Sequence, residues 1–154
     1  MSSSAARTGN AARVALLVLL LTALGAACQP PGRAFQTTLD PHGERPLPVT
    51  MTDETGLIVE IEPATIDSAK FSGPFNGTLE EDPANPRAAI LLFYGGMCDQ
   101  DAKLAFRLHE GVYELRVDVE QKGFGNCPAA AILRSVRIVT SEPIPVATVL
   151  VVGD

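Results

Sequence analysis

Between Pro46 and Asp154 the apolar residues recur every second position in several short segments, and no stretch repeats at helical spacing. In Tyr113 to Glu120, Tyr113, Leu115, Val117 and Val119 alternate with Glu114, Arg116, Asp118 and Glu120, the pattern of a strand with one apolar and one solvated face. Leu104, Phe106 and Leu108 alternate in the same way with Lys103, Ala105, Arg107 and His109. Glu110-Gly111 lies between these two segments, and glycine supplies the positive φ that a tight loop needs. The pattern predicts an antiparallel hairpin with His109 facing Val112 and Lys103 facing Asp118. Further strands are expected at Leu57 to Glu62, with Leu57, Val59 and Ile61 on one face, and at the apolar run Ala88 to Tyr94, suited to a central position. Ile132 to Thr140 and Ala147 to Val152 follow, separated by the Pro143 and Pro145 turn. The long loop from Ala64 to Arg87 leaves room for an edge strand near Phe71 to Leu79. These elements predict an all-β fold, a small β-sandwich or barrel of about six or seven antiparallel strands.

The hydrophobic fraction of 46% suffices for a core, but part of it lies in Val14 to Ala27, a run too short and wrongly flanked for a membrane-spanning helix. Arg7 and Arg13 precede that run without an acidic residue, and Gly25, Ala26 and Ala27 close it. This is the three-part pattern of a secretory leader. Leu24-Gly25-Ala26-Ala27-Cys28 resembles the lipobox of bacterial lipoproteins, with the leucine one place further from the cysteine than is usual. The resemblance implies removal of residues 1–27 and acylation of Cys28, hence a membrane partner reached through a lipid anchor. It also implies an outer-membrane location where the envelope has two membranes, and otherwise the outer face of the plasma membrane. Residues 28–45, rich in proline and polar residues, read as a flexible tether, and 46–154 as the β domain.

With Cys28 assigned to lipid, Cys98 and Cys127 remain as a pair in a disulfide-permissive compartment. Both emerge at the open end of the predicted hairpin. A bridge there would close a long loop, for which chain entropy gives about 3 to 4 kcal/mol of stabilisation. Losing Arg7 and Arg13 with the leader leaves ten Lys and Arg against eighteen Asp and Glu, a net charge of −8. That balance disfavours nucleic acid and anionic headgroups as charge-selected partners, and its simplest meaning is solubility.

Side chains that carry chemistry are sparse. His42 falls in the tether and His109 at the hairpin tip, neither beside a nucleophile motif. Asp99 and Asp101, or Glu80-Glu81-Asp82, offer oxygen ligands of the kind Ca²⁺ takes, but neither has EF-hand spacing, and solvated loop charges are the simpler reading. No catalytic residue, metal site or cofactor is assigned. Gly95-Gly96-Met97-Cys98, Val117-Asp118-Val119, Cys127 and Arg134-Ser135-Val136-Arg137-Ile138 are together similar to the C-terminal half of small two-cysteine lipoproteins common in high-GC bacteria, a family with no described role. The expectation is a non-catalytic envelope lipoprotein that binds or assists an envelope partner. Size, anchor and single disulfide also resemble periplasmic lysozyme inhibitors, which suggests an inhibitor of a cationic cell-wall-degrading enzyme, though their Ser-Gly-Ser-Gly signature is missing. A small hydrolase using His109 is the third reading.

Overall fold

The computed structural model describes residues 32–40, 46–66, 77–121, 128 and 130–153. The leader, Cys28, His42, Cys127 and the 71–76 part of the expected edge strand lie outside the described residues. Pro31–Asp154 forms one compact unit. Its nine described strands are β1 (Arg33–Leu39), β2 (Leu47–Asp53), β3 (Ile58–Pro63), β4 (Thr78–Glu81), β5 (Ala88–Gly96), β6 (Asp99–His109), β7 (Val112–Gln121), β8 (Ala131–Thr140) and β9 (Leu150–Gly153). They make a five-stranded sheet in the order β1-β2-β6-β7-β9 and a four-stranded sheet in the order β3-β8-β5-β4. The inward faces of the two sheets close on one core, whose centre holds Met51, Leu91, Phe93, Leu104, Phe106, Leu115 and Val136. A β-sandwich-like arrangement results, with no α-helix among the described residues.

The β6–β7 hairpin has the expected register, with His109 opposite Val112 and Lys103 opposite Asp118. Its loop is the two-residue turn Glu110-Gly111, with φ of 50° and 82°. Two positive φ values match the right-handed twist of the flanking strands. Phe106 stacks on Tyr113 across the hairpin, with ring centroids 5.5 Å apart. Ala88 to Tyr94 falls in β5, an interior strand as expected.

Three expectations are corrected. The tether reading fails over Arg33–Leu39, which forms β1 and pairs with β2 from Arg33 opposite Asp53 to Leu39 opposite Leu47. Phe35, Thr37 and Leu39 turn inward there, and threonine at one inward place weakens the apolar alternation that would reveal a strand. The strand count is nine rather than six or seven, and two of the pairings, β2 with β6 and β7 with β9, are parallel. In β3 the register shifts between Ile58 and Glu60, so Ile58 and Ile61 are buried while Val59 points to solvent. This bulge breaks the shared face expected of Leu57, Val59 and Ile61. One edge strand of the second sheet, Thr78–Glu81, overlaps the end of the expected Phe71 to Leu79 segment, whose 71–76 part lies outside the described residues.

The two ends of the sandwich differ. At one end β1 begins, and the β2–β3 turn is fixed by Asp53, whose buried carboxylate accepts the Thr55 amide (2.8 Å), the Thr55 hydroxyl (2.7 Å) and the Ile58 amide (2.9 Å). Three donors satisfy a charge that would otherwise be costly to bury. The β6–β7 tip lies at this same end, since Phe106 pairs with Asp53 and His109 lies three residues further on. At the other end β1 finishes, and β5 passes into β6 through the two-residue turn Met97-Cys98.

Candidate functional site

The second end holds the chemistry. Asp99, first residue of β6, folds its carboxylate back over the end of β5, where Oδ2 accepts the Gly96 amide at 2.5 Å. A Cβ at Gly95 would overlap that same oxygen, and one at Gly96 would lie 3.1 Å from Oδ1. The glycine pair is therefore a seat for the Asp99 side chain, since only a residue without a Cβ leaves the backbone open to so close an approach. Burial pushes the Asp99 carboxyl above the usual carboxylate range, against the opposing effects of the Gly96 amide and the Arg134 charge.

Arg134 of β8 reaches the same place from the facing sheet. It is 3% exposed, sharing the inward face of β8 with Val136, Ile138 and Thr140. Burial pulls its guanidinium below the ordinary arginine value, and the charges of Asp99 and Asp40 pull it back up. Nη1 also donates to the Leu39 carbonyl at 3.4 Å. Arg134 thus joins β8 to the last residue of β1 and feels the carboxylates of Asp99 and Asp40 at one end of the facing sheet, an arrangement in which the charges compensate one another's desolvation.

Outward from this ion cluster lies a cleft of about 450 Å³. Leu39 and Asp40 form one wall, Pro63 to Ile66 a second, and Ala131, Ile132, Leu133 and Ser135 a third. Strand alternation lets β8 serve both places: Arg134 points into the sandwich while Leu133 and Ser135 line the cleft. The second wall is held in place by two bonds, the Ser135 hydroxyl to the Ala64 carbonyl at 2.6 Å and the Ala64 amide to the Ser135 carbonyl at 3.2 Å. A lining divided evenly between polar and apolar surface, a carboxylate at one side and a fixed backbone frame suit the binding of a small group or side chain that offers both characters.

No family model matches the chain, and neither does any curated protein or solved structure. The site is therefore read from its own residues. Asp99 and Asp101 do not act together: the register shift between them turns Asp99 inward with Gln121 and Asp101 outward with Glu120 and Lys103. Of the acidic loop triplet, Asp82 is bound by Arg137 at 2.6 Å, while Glu80 and Glu81 extend along β4. Among the described residues no group of three or more His, Cys, Asp or Glu stands close enough to hold a metal ion. His109 sits at the β6–β7 tip, at the opposite end from the cleft. Cys98 occupies the turn beside Asp99.

Sequence reasoning missed Arg134 as an interior charge and Gly95-Gly96 as a seat for Asp99. Both left a trace. Arg134 is in phase with Val136 and Ile138, and the glycine pair is followed within three residues by an acid able to fold back on it.

Proposed function

We propose that this protein is a non-catalytic binding module of the bacterial envelope, anchored by lipid on Cys28 and receiving a segment of an envelope partner in the cleft between β1, β3 and β8. The observation that carries the binding reading is the cleft itself, about 450 Å³ and walled by residues fixed through strand backbone and the Ser135–Ala64 bonds. That volume lies within the range of pockets that enclose small ligands or single anchoring side chains.

A Cys98–Cys127 bridge fits this reading. Gly96 and Asp99, which flank the Cys98 turn, pair with Ala131 and Gln121 respectively. The chain between Gln121 and Ala131 carries Cys127, so both cysteines belong to connections that cross between the sheets at one end. The bridge would brace the cleft end of the sandwich.

Two measurements test the proposal. Intact mass of the protein from its native membrane fraction should show acyl chains on Cys28 and a gain of two hydrogens on reduction; an unacylated mass would remove the anchor. A photo-crosslinking residue at Leu133 should capture a defined envelope protein that the same residue at Thr50, on the solvent face of β2, does not. Equal labelling from both positions, or none from Leu133, would remove the cleft as a binding site.

A further inference from the structure

Four large apolar side chains are exposed among the described residues: Leu108 (57%), Leu150 (55%), Val59 (47%) and Val112 (47%). All four lie at the end of the sandwich opposite the cleft. Leu108 and Val112 sit on the β6–β7 tip, which projects beyond Phe106, the last β6 residue paired with β2. Leu150, opposite Glu114, is the first residue of β9. Val59 is turned outward by the bulge one residue into β3. Val112 and Leu150 share the outer face of β7 and β9, Leu108 stands on the other face of the same tip and Val59 on the outer face of the second sheet, so the four ring this end and give it a rim suited to an apolar medium.

The course of the chain indicates that medium. Gly32 continues β1 toward this same end, where an added Cβ would meet the Thr52 methyl at 3.2 Å and the Glu54 side chain at 3.9 Å. Gly32 lies only four residues after Cys28. At roughly 3.5 Å per residue those four span at most about 14 Å. Acyl chains on Cys28 would hold this end, and not the cleft end, within that distance of the bilayer.

We infer that the Leu108, Val112 and Leu150 end of the sandwich rests on the lipid surface that holds the Cys28 acyl chains. This rests on the lipoprotein reading of Cys28. Charge does not drive the contact, because Arg33 and Arg87 are outnumbered at this end by Glu54, Glu110 and Glu142. The apolar tips enter the headgroup region, the short leash keeps them there, and the cleft faces away from the membrane toward partners.

The chain contains no tryptophan, so a single reporter can be placed at will. Full-length protein from its native membrane is checked by intact mass for the acyl chains. It is then reconstituted in vesicles of phosphatidylethanolamine and phosphatidylglycerol containing brominated phosphatidylcholine. Leu108→Trp and Val112→Trp should each show blue-shifted emission and lose intensity to the brominated lipid, while Thr38→Trp, near the cleft end, keeps its emission. Acylated protein whose tip reporters are quenched no more than Thr38→Trp would overturn the docking and leave the anchor standing. A mass without acyl chains would overturn the anchor and the docking with it.

Discussion

At the scale of single residues, the Asp99 seat makes the sharpest prediction. Gly95→Ala drives a methyl into the Asp99 carboxylate, and relieving the overlap must move either the Gly96–Asp99 bond or the Met97-Cys98 turn. The clashing atom is the far end of a side chain that can swing aside, so the expected cost in urea unfolding is that of the lost Gly96–Asp99 bond, about 1 kcal/mol. The loss should shrink in an Asp99→Ala background, because the clashing group is then gone; a fully additive double mutant would contradict the seat. Arg137 makes a second residue-level case. It bonds Asp82 at 2.6 Å and Glu62 at 2.5 Å, crossing the outer face of the second sheet between them. The Arg137 bond holds the Asp82 carboxyl below its ordinary value. A carboxyl lowered in the folded state contributes stability above its unfolded pKa, and that contribution is lost as pH falls through the folded value. The melting difference between the native chain and Asp82→Asn should therefore be full at neutral pH and decline below about pH 4. A difference that persists unchanged into acid would exclude the ion pair as its source. None of these partners was legible in the sequence, because alternation assigns a side chain to a face and says nothing about which charge waits across it.

At the scale of elements, the β6–β7 hairpin was readable almost in full, since strand faces, loop and register all follow from one alternating run interrupted at Glu110-Gly111. Its turn is also improvable. Glu110 adopts φ of 50°, a conformation that asparagine tolerates better than glutamate. Glu110→Asn creates the Asn-Gly pair favoured in such turns and should raise stability by up to about 1 kcal/mol, read as a higher urea midpoint at unchanged slope. Unchanged stability would mean that the turn is set by the strands alone. β1 and β3 were less legible for separate reasons. β1 puts threonine at an inward place beside a proline-rich stretch, and β3 contains a bulge that moves Val59 from the face its spacing predicts to the opposite one.

For the whole molecule, an all-β fold around one core was foreseeable from the number of short alternating segments, but neither the choice of sandwich over barrel nor the strand order was. Periodicity records burial, and both parallel pairings join segments remote in sequence. The cleft was equally hidden, because its walls come from three separate strand ends. The proposed Cys98–Cys127 bridge is tested at this scale: where it forms, a reductant should lower unfolding free energy by about 3 to 4 kcal/mol while the far-UV spectrum stays β-rich. A stability indifferent to reductant would show that the sheets need no brace.

The parallel pairing of β2 with β6 has a consequence for the order in which the chain becomes a protein. β1 and β2 emerge from synthesis first and can pair at once, yet the other edge of β2 stays open until β6 arrives about fifty residues later. A vacant edge of this kind invites the wrong neighbour, and closing it over so long a loop is slow. The first sheet can be finished only from its middle, when the β6–β7 hairpin slots in beside β2 and β9 seals the far side. Among the strands, β2 is thus one of the first to be available and one of the last to be safe from mispairing, so a factor that shields it during that interval would favour correct assembly of the first sheet.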